Sequence, residues 1–325
     1  MTDQTPDLKT LIRRLEKRHQ KKQAATALVA GTAVLALTVL IAPLFAQKDA
    51  PQAIVQAPTI QPLAASTAFE NVTVDGKAAI VYDLVTGEVL FEKNSRSQLP
   101  LASLTKLLTV YAAADALGTQ STVTISDSAL LSDGESGFSA GESFAFSDLA
   151  RLALVSSSND ATAAIAETAS IARATTGKNM LASAASAVGL AQTYALNGTG
   201  LDESTSVSGG YGSAQDIAKL AGALLQKAPE IAHATIEPSI SIRSREGIVH
   251  TLPNTNPGIS AVPNALLSKT GFTDLAGGNL AVVYDAGMGH PVAIVVLGST
   301  IEGRFSDVNR LLRGANTYFA ETGAR

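Results

Sequence analysis

Strand-like text occurs at both ends of the folded region and is almost absent from its middle. Ala78–Asp83 and Glu88–Glu92 are short runs rich in Val and Ile that flank Leu84-Val85-Thr86-Gly87, the pattern of a β-hairpin. The next such runs, Leu267–Phe272, Asn279–Tyr284 and Val292–Leu297, lie in the final third and are separated by Gly-containing turns. Between the two groups the text is helical: Leu104–Leu117, Phe146–Ser156, Ala161–Thr175, Lys178–Val188 and Ala214–Gln226. Ser213 before Asp216 and Ser147 with Arg151 mark helix starts, and Arg304–Phe319 closes the chain with a helical pattern. This order predicts an α+β fold: an antiparallel sheet of strands distant in sequence, flanking helices and an inserted helical lobe. A cleft between sheet and lobe is a natural substrate site. No internal repeat is present.

Three motifs, each present once, fall on this framework. Ser103-Leu104-Thr105-Lys106 lies at a predicted helix start, where backbone N–H groups and the helix dipole favour developing negative charge. Lys106 is three residues on, so a helix puts both side chains on one face. A serine hydroxyl needs an adjacent base, and lysine serves only when desolvation or a nearby cation lowers its pKa. Lys269 would be such a cation. Ser157-Ser158-Asn159 follows the apolar run Leu152–Val155 and could be no more than a helix cap. Chemically, its first hydroxyl can relay a proton to a leaving group and its amide can hold a substrate backbone. Lys269-Thr270-Gly271 sits in strand text, where Gly often marks close approach by a ligand and Lys offers charge to a carboxylate. Each motif alone has a bland reading as a solvated lysine, a cap or a strand end. Their joint occurrence, in order, on a helix start, a helix–helix turn and a strand, points to active-site-serine acyl transfer without histidine.

The formal net charge of −4 argues against nucleic acid as a partner. Residues 1–23 nevertheless carry seven Lys or Arg against three acidic residues, and run into an uncharged, largely apolar stretch, 24–46. At about 1.5 Å per residue that stretch can cross a hydrocarbon core of about 30 Å. Positive charge before the span predicts a cytoplasmic N-terminus, a single-pass anchor in the bacterial cytoplasmic membrane and an exported, periplasmic domain. Cleavage after Ala46 competes with anchoring, but the basic segment and the apolar stretch are both long for a signal peptide. Residues 47–67, rich in Pro, Ala and Gln, read as a linker, and 68–325 as the catalytic domain. The absence of cysteine excludes a disulfide scaffold and a thiol nucleophile. No metal or organic cofactor is implied.

The region Phe69–Phe319 resembles the penicillin-binding D-alanyl-D-alanine carboxypeptidase family, the low-molecular-mass penicillin-binding proteins. Beyond the three motifs, the likeness rests on YDLVTGEVLFEKN, LPLASLTKLLTVYAA, SSSNDATAAIAE, NGTGLDE, TLPNTN and LLSKTGFTDLAGGNL. The resemblance implies Ser103 as acylated nucleophile, Lys106 as its base, and Ser157, Asn159 and Lys269 as their partners. Thr270 would contact the substrate carboxylate, with Gly271 beside it. The oxyanion hole would use the backbone N–H groups of Ser103 and Phe272. Arg304, in EGRFSDVNRLL, matches a family arginine that helps bind the terminal carboxylate. The implied substrates are peptidoglycan stem peptides, with β-lactams as covalent inhibitors. Two positions depart from the family: Ser158 and Ser268 stand where Gly is common.

Other readings are weaker. Gly137-Phe138-Ser139-Ala140-Gly141 spells a nucleophile elbow, but a polar loop precedes it where an elbow needs an apolar strand. The four histidines lack metal spacing, and only His250, just before the NTN segment, is placed to approach the cleft. A β-lactamase shares the three motifs. The Glu-x-x-Leu-Asn segment of class A enzymes is missing between Asn159 and Lys269, and Glu167 and Glu203 lack that context. An endopeptidase on cross-linked peptidoglycan would use the same site. A non-catalytic wall-binding module fits poorly with an intact Ser103/Lys106 pair.

Overall fold

The computed structural model describes residues 67–134 and 137–323. The basic segment 1–23, the apolar stretch 24–46 and residues 47–66 of the linker lie outside the described residues. Among the described residues no helix is long and apolar enough to cross a membrane.

A five-stranded antiparallel sheet organises the domain. Its strands are β1 (Ala78–Asp83), β2 (Val89–Lys93), β10 (Ala265–Thr273), β11 (Gly277–Asp285) and β12 (Pro291–Ser299), in the order β10-β11-β12-β1-β2. The first strand of the domain thus pairs with the last, Ala78 opposite Leu297 and Asp83 opposite Val292. Everything from residue 99 to 253 is inserted between β2 and β10, as the two separated groups of strand text predict.

These strands are apolar almost without interruption because both faces are covered. Side chains alternate along a strand. Ala78, Ile80, Ala281, Val283, Ala293, Val295 and Leu297 face the inserted helices. Ala79, Val81, Leu280, Val282, Val292, Ile294 and Val296 face the C-terminal helix, which contributes Val308, Leu311, Leu312, Ala315 and Phe319. Full burial of each Val, Ile or Leu contributes roughly 1.5–3 kcal/mol.

The helices are α1 (Thr105–Ala116), α2 (Phe146–Val155), α3 (Asn159–Ala172), α4 (Gly177–Val188), α5 (Ala214–Lys227), α6 (Pro229–Ala234) and α7 (Gly303–Thr322). α1 is buried along most of its length, and α3, α4 and α5 pack around it. The start of α3 has a local cause. Ser158 Oγ accepts from Ala161 N–H at 3.1 Å, the N-cap bond that a Gly at this position would not make. Ser213 caps α5 in the same way through Asp216 N–H.

Periodicity does not reveal the small strands. β8 (Ser239–Arg243) and β9 (Val249–Pro253) form a hairpin whose side chains are mostly exposed, so backbone pairing defines it rather than an apolar face. The pairs β4 (Thr122–Thr124) with β5 (Ser143–Ala145), and β3 (Leu99–Pro100) with β7 (Gly210–Gly212) and β6 (Tyr194–Ala195), are two or three residues long.

One buried amide joins sheet and insertion where it matters. Asn279 on β11 donates through Nδ2 to Pro100 O (3.0 Å) and Leu101 O (3.1 Å), and its Oδ1 accepts from Gly298 N–H at 2.7 Å. Asn279→Ala removes all three hydrogen bonds from the contact between sheet and insertion. The variant is expected to lose about 2 kcal/mol or more of stability, read as a lower midpoint in urea unfolding.

Candidate active site

Ser103 sits in a short 3-10 turn, Ala102–Leu104, that runs directly into α1. Ala102 adopts φ 48°, a left-handed conformation unusual for a residue with a Cβ. The turn is held from behind by close packing. A Cβ on Gly200 would lie 1.9 Å from Ala102 O, so this position admits only glycine. On the other side, a Cβ on Gly271 would lie 2.9 Å from Leu101 O and 3.3 Å from Ser103 N. Strand β10 therefore runs against the Ser103 turn with no room for a side chain between them.

Lys106, fully buried in the first turn of α1, places Nζ 2.8 Å from Ser103 Oγ. The same nitrogen is 2.6 Å from Asn159 Oδ1 and 2.8 Å from Thr199 O. The Asn159 amide is oriented by its own Nδ2, which donates to Asp133 O. Burial lowers the Lys106 pKa to about 7. The sequence left desolvation and a nearby cation, Lys269, as the two candidate causes, and desolvation is the one at work.

Geometry then dictates direction. A neutral amine has two N–H bonds and one lone pair. Asn159 Oδ1 and Thr199 O can only accept, so they take the two N–H groups. The lone pair is left for the Ser103 hydroxyl proton.

The other two motifs meet here as well. Ser157, at φ 61°, precedes the cap of α3. Its Oγ accepts from Lys269 Nζ at 2.8 Å, and Lys269 also donates to Thr270 O at 2.9 Å. Lys269 is fully buried, and its pKa is held well below the ordinary lysine value by desolvation, then by repulsion from Lys106 and Arg304. Arg304, at the start of α7, donates to Gly271 O at 2.8 Å and stacks on Phe305. Burial lowers its pKa too, against an opposing pull from Glu302. Among the described residues, the hydrogen bonds of Lys106, Lys269 and Arg304 all go to neutral oxygens, and Arg304 Nε is buried without a partner. A trans peptide sets C=O and N–H on opposite sides. With Gly271 O turned to Arg304, the Phe272 N–H points the other way.

The structure thus brings Ser103, Lys106, Ser157, Asn159, Lys269, Thr270, Gly271 and Arg304 into one bonded or packed network, and Phe272 adjoins it on β10. It also supplies groups that motif reading did not single out. Thr199 O is an acceptor for Lys106, and Asn197 Oδ1 shapes its loop by accepting from Thr199 N–H and Gly200 N–H. Thr270 Oγ1 donates to Thr255 Oγ1 at 2.6 Å. The NGTG and NTN segments were the available signal, but carbonyl and hydroxyl partners have no residue signature.

The rival residues are engaged elsewhere. Ser139 lies in a loop, where its N–H donates to Glu142. His250 is buried between Phe138 and Phe144 and bonds Glu142 Oε2 at 2.6 Å. Glu167 accepts from Ser126 and Ser128, and Glu203 from Asn197. Among the described residues no group of three or more His, Asp or Glu side chains could hold a metal ion.

The description of the D-alanyl-D-alanine carboxypeptidase family matches residues 64–300. The D-alanyl-D-alanine carboxypeptidase DacF of Bacillus subtilis is 30% identical over 245 residues, covering 73% of this chain and 61% of the relative. A D-alanyl-D-alanine endopeptidase of Pseudomonas aeruginosa is 30% identical over 250 residues, 74% of this chain and 77% of the relative. The crystal structure of the D-alanyl-D-alanine carboxypeptidase DacD from Francisella tularensis is similar with a TM-score of 0.67 at 25% identity, over 83% of this chain and 73% of that one. The chain thus spans less than two thirds of the Bacillus relative. With the family description matching most of the chain and the site geometry in place, the chain belongs to the D-alanyl-D-alanine carboxypeptidase family.

Proposed function

We propose that the protein is a serine D-Ala-D-Ala carboxypeptidase that removes the terminal D-alanine from peptidoglycan stem peptides. The observation that carries this reading is the Lys106 amine, buried, bonded to Ser103 Oγ and turned by two carbonyl oxygens so that its lone pair faces the serine proton.

The reaction runs in two halves. Lys106 Nζ takes the Ser103 proton as Oγ attacks the carbonyl carbon of the D-Ala–D-Ala bond. The developing oxyanion is held by the N–H groups of Ser103 and Phe272. Ser157 accepts from Lys269, so its own proton is free to pass to the leaving amine, with Lys106 as the source that replaces it. The C–N bond breaks, D-alanine leaves, and an ester on Ser103 remains. Water then attacks the ester, giving up its proton to the amine, and Ser103 is regenerated. Asn159 holds the substrate backbone. Thr270, Lys269 and Arg304 form the pocket for the terminal carboxylate, and the buried cations with neutral partners favour an anion there. β-Lactams acylate the same serine.

An endopeptidase action on cross-linked peptides is a second reading, favoured by the likeness to the Pseudomonas protein. We further propose that residues 24–46 anchor the chain in the cytoplasmic membrane, with 47–67 as linker and the domain from 68 onward on the periplasmic side. The basic block 1–23 before the apolar stretch supports this arrangement.

Two outcomes test the reaction. Ser103→Ala should abolish D-alanine release from a stem pentapeptide while leaving the thermal unfolding curve near that of the wild type. Unchanged release would eliminate Ser103 as nucleophile. The neutral amine is the working form, so the rate of release should fall about tenfold per pH unit below about 7. Lys106→Arg, which cannot deprotonate, should lose at least about 100-fold at every pH. A rate flat from pH 5 to 8 would contradict the assignment.

A further inference from the structure

The carboxylate end of the site contains a second threonine that the mechanism above does not use. Thr255 follows β9, in a segment fixed on several sides. Its N–H donates to Val155 O (3.1 Å) at the end of α2, two residues before Ser157. Asn254 Nδ2 donates to Thr235 O and Glu237 O, each at 2.8 Å. Asn256 Nδ2 donates to Ser268 Oγ at 2.9 Å, one residue before Lys269. Thr255 thus bridges the second and third motifs on a rigid support. Its hydroxyl accepts from Thr270 Oγ1 at 2.6 Å, while among the described residues its own proton has only Val155 O, 3.5 Å away. That is a strong bond received and a marginal one given.

A carboxylate only accepts hydrogen bonds. For Thr270 to bind one, its proton must turn away from Thr255. The loosely held Thr255 proton can then swing to Thr270 Oγ1. The chain of donation becomes Thr255 to Thr270 to carboxylate, each bond polarising the next. No covalent bond changes, and each proton stays on its own oxygen.

We propose that Thr255 is a positioning residue for recognition of the substrate's terminal carboxylate. In the free enzyme it holds the Thr270 hydroxyl in place, and on binding it reverses that hydrogen bond so that Thr270 donates outward. This rests on the reading that Thr270 meets the substrate carboxylate.

The test compares a peptide ending in D-Ala-D-Ala with its C-terminal amide, using the full chain. Thr255→Val keeps the shape and removes the hydroxyl, and Thr255→Ser keeps the hydroxyl. For the free acid, Thr255→Val should raise KM about 5–10-fold with kcat within about twofold. The acid-to-amide ratio of kcat/KM should fall by the same factor, and Thr255→Ser should restore it. An equal loss on both substrates would make Thr255 a packing residue and overturn the proposal, as would no loss on either. Thr255→Ala, read by the same ratio, replaces the valine variant if the latter does not fold. D-Alanine release absent from the wild type would instead bring down the carboxypeptidase reading itself.

Discussion

The site depends on one costly act, the burial of the Lys106 amine. Stripping water from an ammonium favours its neutral form, and among the described residues no negative partner beside it opposes that. Relative to an unfolded chain in which lysine titrates near 10.5, the folded domain carries the full penalty below pH 7. The penalty fades as pH rises towards 10.5, because the unfolded state then binds more protons than the folded one only within that window. In return the protein gains a base near neutral pH without histidine. A base alone is not enough, and the two carbonyl oxygens of Asn159 and Thr199 give it direction.

The rest of the fold can be understood as a support for that arrangement. Lys106 comes from the inserted helices, Lys269 from the sheet, and Arg304 from the helix on the opposite face of the sheet. They converge because the chain closes its sheet with strands from both ends, and because Asn279 ties β11 to the backbone just before Ser103. Ala102 and Ser157, both with positive φ, flank or belong to the motifs. Such strained positions persist only where surrounding structure over-determines them. Here close packing by Gly200 and Gly271 does so at the first of them.

Much of this was legible in the sequence. The paired strand groups with helical text between them specify the sheet and its insertion, since apolar runs and period are local signals. The three motifs specify which side chains the fold brings together around Ser103. What was not legible is whatever depends on backbone atoms or polar side chains at distant positions. Thr199 acts through its carbonyl oxygen, Asn279 through a buried amide, and β8–β9 through a ladder with few buried side chains. None of these has a residue pattern that periodicity can detect. Which of the two candidate causes lowers the Lys106 pKa was also beyond sequence, because charge can be counted from letters and depth of burial cannot. Ser158, a departure from the family's glycine, becomes intelligible only once its hydroxyl is seen capping α3.

The most direct test of this account is where an acyl group attaches. Incubation of the full chain with benzylpenicillin, followed over time by intact-mass spectrometry and peptide mapping, reads it in one experiment. The account predicts a single, persistent one-to-one adduct on the peptide containing Ser103. Attachment to another serine, or drug turnover with no lasting adduct, would contradict it.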